Sequence, residues 1–360
     1  MALEPLTLYT SSDYFRTLTT RIAATKRGSR IALMTMAYDQ NEPHIAALVH
    51  ELTSAAARGV QVYVLIDAYS FLMNRRGTPT GPALYQGKPE ASQRPYFQQR
   101  YLSLEKLRKN GGHYTVINSP ARAFANPYSG RSHIKLAVVD NTAFLGGCNL
   151  DTEQIDYMVS LDDPTTVDYL YELATQVASI KSVRQTLHDT DQTLAVDQRT
   201  TIIVDAGKPK QSLIYQSALD FIDTAQEWLV MTCQFFPNTL TAQHLAAAVH
   251  RGVRVTLYYN HPRHHAPHMR PVQRAVILAE KTRRPSVLFA HQLPKGSQRL
   301  HAKLLASERG AIIGSHNYVT HGVNFGTAEI AIRRYDSAFA QNALQILKGY
   351  LPANYTAALS

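Results

Sequence analysis

The apolar positions of this chain fall into short blocks with two different periods. "RIALMTMAY" is a nearly continuous apolar run and reads as a buried strand. "HIAALVHELTSAAARG" follows, with leucines and alanines at helical spacing. "VQVYVLID" then closes the unit as a second strand. The same order returns further on, as "EWLVMTCQFF", "LTAQHLAAAVHRG" and "VRVTLYYN". Gly59 and Gly252 end the two helical patterns, where a C-cap glycine belongs. Strand–helix–strand alternation predicts parallel pairing within an α/β sandwich.

A second pair of segments extends the repetition. "HIKLAVVDNTAFLGGCN" begins at His133 and "HAKLLASERGAIIGSHN" at His301, and they align without gaps at an offset of 168 residues. The two Arg-Gly-Val steps, at Arg58 and Arg251, are 193 residues apart, so the first copy holds 25 more residues between its landmarks. These fall mainly between Met73 and Tyr101, a stretch rich in Gly, Pro, Arg and Tyr. A loop of that length inside a compact unit is expected to be functional. Its Arg75, Arg76, Tyr85, Tyr96 and Tyr101 suit base stacking or a lipid interface, and equally a plain surface loop. The polar "TLHDTDQTLAVDQRT" separates the copies, which gives one unit over residues 1–190 and another over 200–360.

Residues i and i+2 of a strand share a face. His133 and Lys135 therefore point one way, while Ile134, Leu136 and Val138 point the other. His301 and Lys303 repeat the arrangement. Imidazole serves as nucleophile or acid near neutral pH, and an ammonium beside it neutralises phosphate oxygens. Two such imidazoles facing one phosphorus fit in-line displacement through a phosphohistidine. The lysines supply the positive charge, so neither metal nor cofactor is expected.

Composition narrows the partner. The apolar fraction is 45 % and the charged fraction 18 %, which describes a globular chain with a real core. The formal net charge of +10 favours an anionic partner: nucleic acid, a phospholipid surface or a phosphorylated substrate. Cys148 and Cys233 are too few for a disulfide framework. No signal peptide is evident in "MALEPLTLYTSSDYF", and no apolar run reaches the ~18 residues of a membrane span. A cytoplasmic protein, peripheral at the inner membrane face, is the expectation. Cys148 reads as a small buried side chain and Trp228 as core. "HPRHHAPHMR", with His261, His264, His265 and His268, reads as a solvated basic loop on the site rim rather than a metal site.

His133-x-Lys135 with Asp140, and His301-x-Lys303 with Glu308, resemble the paired H-x-K-x4-D motifs of the phospholipase D superfamily. The Gly146–Asn149 and Gly314–Asn317 tails fit the same pattern, and the resemblance runs from roughly residue 10 to 350. It implies two pseudo-twofold-related α/β/α lobes with mixed, mostly parallel sheets, and a metal-independent phosphodiester enzyme. Its catalytic set would be His133, Lys135, Asp140, His301, Lys303 and Glu308. Asn149, Asn317 and Ser315 would bind the phosphate. Asp156 and Glu329, after the two tails, would orient the histidines. The family makes the first histidine the nucleophile; the residues alone leave that order open. Glu308 departs from the usual aspartate and reads best as a brace for its strand. His321-Gly322 stands where many lipid-acting members carry Arg-Ser.

Both motifs lie in one chain, which predicts a monomer. "MTCQFFPNTLTAQHLAAAVHRGVRV" and "RYLSLEKLRKNGGHYTVINS" resemble segments of bacterial cardiolipin synthases and favour a phospholipid substrate. The "GSHNYVTHGVNFGTAE" tail and the basic charge would suit an endonuclease acting on DNA or RNA. A phosphate-binding protein without turnover is the remaining reading.

Overall fold

The computed structural model describes residues 6–72, 84–85, 88–89, 95–118, 130–178, 191–237, 239–284 and 290–356. Arg75 and Arg76, with the side chains of Tyr85 and Tyr96, lie outside the described residues. Tyr101 lies in the helix Pro95–Lys109 and packs against the core beneath the helices Ser11–Ala23 and Pro43–Ala57.

Both strand–helix–strand units form where the apolar blocks place them. In the first, strands Arg30–Thr35 and Gln61–Asp67 pair in parallel around the helix Pro43–Ala57. In the second, Trp228–Cys233 and Arg254–Tyr259 pair in parallel around Thr239–His250. Gly59 and Gly252 take φ of +86° and +89° directly after these helices, a conformation that costs other residues more.

The units grow into two sheets of matching order. The first runs Thr7–Thr10, Tyr157–Leu161, Thr142–Gly146, Leu136–Val139, Arg30–Thr35, Gln61–Asp67, His113–Ile117. The second runs Gln192–Ala195, Thr200–Ala206, Ala328–Arg334, Gly310–Gly314, Leu304–Ser307, Trp228–Cys233, Arg254–Tyr259, Ala290–Gln292. Apart from the extra edge strand Gln192–Ala195, the second order repeats the first. The sheets are mixed, but antiparallel pairs outnumber parallel ones, against the expectation of mostly parallel sheets. The reason is local. Asp140-Asn141 and Glu308-Arg309 are two-residue turns, which fold each motif strand straight back into a hairpin. The polar separator also holds more structure than its pattern suggests, since Gln192–Ala195 pairs antiparallel with Thr200–Ala206.

Alternation along the motif strands feeds two cores at once. Ile134, Leu136 and Val138 enter a core shared by both sheets, with the helices Pro164–Ala178 and Ser337–Tyr350. Ala137 and Val139 enter a second core, beneath the helices Ser11–Ala23 and Pro43–Ala57. A third core backs the other sheet under Leu213–Thr224 and Thr239–His250. Strands Thr142–Gly146 and Tyr157–Leu161 lie against Gly310–Gly314 and Ala328–Arg334. Cys148 and Cys233 are buried and unbridged, and Trp228 packs half-buried against the shared core. Among the described residues no helix is long and apolar enough to cross a membrane.

Candidate active site

The motif histidines sit just before their strands, on extended backbone that crosses to the other half of the chain. Ser132 bridges Ala328, and Leu300 bridges Ile155, both in parallel. The His133 N–H donates to the Ala328 carbonyl at 2.8 Å, and the His301 N–H to that of Ile155 at 2.9 Å. The residue after each bridge partner is an acid, Glu329 in one case and Asp156 in the other. Each acid therefore meets the histidine of the opposite half. His133 Nδ1 lies 3.0 Å from Glu329 Oε2, and His301 Nδ1 lies 2.5 Å from Asp156 Oδ2. The acids stand at different distances from their tails because the helix Thr320–Phe325 fills the longer one.

With Nδ1 occupied, Nε2 is the free nitrogen of each ring. The ring centroids are 6.5 Å apart and the planes meet at 68°. That spacing admits one phosphorus between the two imidazoles, given the ~3 Å approach of reacting atoms. Both rings border a cavity of about 1060 Å³. Its polar wall includes Arg131, Asn149, Asp151, Arg299, His316 and Asn317, and its apolar wall Met36, Phe235, Phe236, Val276 and Phe325.

The electrostatics of the two histidines differ. Burial alone would raise the Glu329 carboxyl, but the charge and hydrogen bond of His133, with His316 and Lys135, pull it down to about 2. Burial lowers His133, partly offset by Glu329. A neutral His133 donating Nδ1–H to an ionised Glu329 keeps a lone pair on Nε2. His301 is pushed well below its ordinary value, first by burial and then by Lys303, Arg299, Lys135 and His133. Burial also raises Asp156. An arriving phosphate would offset those positive neighbours and favour the protonated His301 that a general acid requires.

Lys135 and Lys303 are each 1 % exposed and stand behind the histidines rather than on the cavity wall. The Lys135 ammonium donates to the His133 carbonyl at 2.7 Å, and Lys303 does the same to His301. Burial lowers Lys135 to about 7 and Lys303 to about 8, partly offset by Glu329 and Asp156. The unfolded chain would hold these protons up to about pH 10. Between about pH 7 and that value the unfolded state binds more protons, so this contribution to stability rises with pH. Binding of a non-titrating anion has the opposite slope. Sulfate affinity should fall at least about tenfold between pH 6 and pH 9, as read by calorimetry. A flat profile would remove the lysines from anion binding.

Three residues assigned by motif lie elsewhere. Asp140 and Glu308 follow the far ends of their strands, five residues beyond the lysines and thus ~16 Å away along the backbone. Asp140 accepts from Ser29 Oγ and the Arg30 N–H. Glu308 accepts from the Gln226, Glu227 and Trp228 N–H groups. Both hold the start of the neighbouring strand and neither reaches the cavity. Ser315 is fully buried, donates to Glu329 and accepts from the Ile330 N–H at 3.0 Å, so it braces the acid instead of touching phosphate. Asn149 and Asn317 do line the cavity, and Asn317 Oδ1 has no partner among the described residues.

Gly147 occupies the position matching Ser315. A Cβ there would overlap the Asp156 carboxylate. Gly147→Ala should therefore displace Asp156 from His301 and cost about a hundredfold in turnover, with the fold retained on circular dichroism.

Several wall residues carry only a weak signal in the sequence. Arg131 and Arg299 each stand two places before a motif histidine, at the same offset of 168, and that coincidence was the available signal. His316 looked like the variable position of its tail. Its Nδ1 accepts from the Tyr318 N–H at 3.0 Å, which leaves Nε2 buried and unpartnered at the cavity. The histidine-rich loop forms the rim, but it is not wholly solvated: His265 is buried, stacks 4.9 Å from Phe235, and falls to about 3 chiefly through burial. Among the described residues no three His, Cys, Asp or Glu side chains are grouped to hold a metal ion.

No curated protein matches the chain in sequence. Among solved structures, phosphatidylserine synthase of Haemophilus influenzae Rd KW20 is similar in fold, with a TM-score of 0.72 at 13 % identity over 98 % of this chain and 88 % of that one. Polyphosphate kinase from Porphyromonas gingivalis follows at 0.58 and 13 % identity, over 96 % of this chain and 46 % of that one. The phospholipase D family member Nuc from Salmonella typhimurium matches 42 % of this chain and 93 % of its own, at 18 % identity and a TM-score of 0.34. The family model described as "Cardiolipin synthase, PLD-like domain" matches residues 18–179 and 218–350, which is most of the chain. The crossed histidine–acid pairs thus stand in a chain that belongs to the phospholipase D superfamily, through its cardiolipin synthase-like PLD domain family.

Proposed function

We propose that the protein is a phosphodiesterase or phosphatidyltransferase acting on phospholipids through a phosphohistidine. The observation that carries this is the pair of imidazoles 6.5 Å apart, each with Nδ1 held by a buried acid and Nε2 left to one shared cavity. His133 Nε2 would donate its lone pair to phosphorus as the P–O bond to the leaving alcohol breaks. His301 would give its proton to that oxygen. His301, now neutral, would take a proton from water or an alcohol, whose oxygen forms the new P–O bond. The N–P bond then breaks and its electron pair returns to His133. Arg131 on the wall, with Lys135 and Lys303 behind the histidines, supplies positive charge to the phosphate, so the step needs no metal.

The lipid assignment draws on three supports. The matched family takes its description from cardiolipin synthase, and the fold is similar to that of a phosphatidylserine synthase. The cavity joins the cationic Arg131 and Arg299 to an aromatic and aliphatic wall, as a headgroup with its glycerol requires. The rim helix Met269–Arg283 exposes Val272 and Leu278 to solvent. Between His261 and Arg284 the chain has six arginines and lysines against one carboxylate, Glu280, which is paired with Arg284. Such a surface suits a peripheral seat on an anionic bilayer, consistent with a monomer at the inner membrane face.

The test offers phosphatidylglycerol vesicles and, separately, single- and double-stranded DNA, all in EDTA. Release of glycerol or formation of a new phospholipid is expected, with DNA intact. Nicked DNA with intact lipid would establish an endonuclease instead, and binding of both without turnover a phosphate-binding protein.

A further inference from the structure

The two halves match in the arginine that precedes each motif histidine, but not in what that arginine meets. Arg131 Nη1 pairs with Asp67 Oδ1 at 2.8 Å, and its Nη2 donates to the Asn118 carbonyl at 2.6 Å. Asp67 ends the strand Gln61–Asp67, and its Oδ2 accepts the Ser132 N–H at 2.7 Å. In the second half Asn260 follows the matching strand Arg254–Tyr259, and its Oδ1 accepts the Leu300 N–H at 2.9 Å. The backbone role is thus the same in both. The charge is not: the Asn260 amide is neutral, its Oδ1 already meets the Leu300 N–H and His264 Nδ1, and its N–H donates to the Leu300 carbonyl, so no carboxylate stands where Asp67 meets Arg131.

Among the described residues the Arg299 guanidinium makes no hydrogen bond or ion pair, and its Nε is buried without a partner. Burial disfavours its charge, and Asp151 is the acid that offsets this most. Asp151 does not touch it, and Asp151 Oδ1 is itself buried and unpartnered. Both line the cavity beside His301. A largely buried guanidinium is costly unless paired, so a cation left open here marks a place for a mobile anion. The unused Asp151 oxygen marks a place for a hydroxyl donor beside it.

We propose that Arg299 and Asp151 form an acceptor subsite for an alcohol that also carries a phosphate or carboxylate, the anion on Arg299 and the hydroxyl between Asp151 and His301. The acceptor role rests on the function proposed above; the anion site does not. The subsite selects an anionic alcohol over water or a neutral alcohol, because only the former leaves the guanidinium compensated.

Two measurements separate the claims. Sulfate titration of the whole chain by calorimetry should show two sites per wild-type molecule, one at the histidines and one at Arg299. Arg299→Gln should retain one. Asn260→Asp should also retain one, since it supplies the carboxylate that Asp67 provides to Arg131, and it guards against a folding defect in the first variant. One site in the wild type, or two in both variants, would overturn the subsite. In the second measurement, phosphatidylglycerol is the donor, and glycerol, sn-glycerol 3-phosphate and L-serine are competing acceptors. The wild type should favour an anionic acceptor, and the better of the two tells phosphate from carboxylate. Arg299→Gln should lower the rate on that acceptor relative to glycerol by about ten- to a hundredfold, the scale of a charge-assisted hydrogen bond. Equal losses on all acceptors, or a wild type that favours glycerol, would overturn the acceptor role. Turnover with none of them would count against the proposed function, and the sulfate count would still decide the anion site.

Discussion

Replacing His133 by alanine should abolish phosphodiester turnover, with a loss of about 10⁴-fold or more, equivalent to about 5.5 kcal/mol of barrier. In the proposed mechanism His133 is the nucleophile, so its removal takes away the whole covalent route and the loss exceeds that of any binding residue. The fold should survive. Glu329 loses one charge-assisted hydrogen bond of about 1.5–3 kcal/mol but keeps the Ser315 hydroxyl. The Lys135 bond to the residue 133 carbonyl is a backbone contact and remains. Rapid quenching of the wild type with labelled substrate should trap phosphate on His133. Label on the His301 peptide would reverse the order of the two histidines, and wild-type rates in His133→Ala would sink the mechanism.

The second large effect separates the two acids. Glu329→Gln should cost about 10³–10⁴-fold, because the wrong imidazole tautomer is then favoured at the nucleophile. Asp156→Asn should cost as much on an alkyl phosphodiester, whose leaving oxygen needs a proton. On a p-nitrophenyl phosphodiester, which leaves without that help, Asp156→Asn should recover most of its rate and Glu329→Gln should not. The reasoning rests on charge: Glu329 is pulled down to about 2 beside His133, whereas burial raises Asp156 beside His301. Rescue of Glu329→Gln instead would make His301 the nucleophile.

Much of this arrangement can be read from local pattern. The two strand–helix–strand units, their terminal glycines and the His-x-Lys pairs all follow from spacing within a few residues. What escaped is mostly what distance along the chain conceals. Asp156 and Glu329 are recognisable as acids after a tail, but which histidine each serves depends on how the two sheets meet. The Asp140-Asn141 and Glu308-Arg309 turns signal the antiparallel hairpins, whereas the repeated strand–helix–strand rhythm predicts parallel pairing. Ser315 sits between Gly314 and His316 in a tail whose closing asparagine predicts phosphate binding, yet its side chain faces Glu329. Arg131 and Arg299 look equivalent in sequence; only the change from Asp67 to Asn260, 193 residues apart, distinguishes them.

The exchange of acids across the sheets has a consequence for the folding chain. A nascent or partly unfolded molecule with one half formed has a histidine whose acid is still missing, and an acid with no histidine to hold. Slippage of one sheet past the other by an ångström or two breaks both pairs together. The proposed reactivity toward phosphodiesters would therefore switch on with the last docking event rather than accumulate by halves. The chemistry acts as a fastening that only the finished molecule can close.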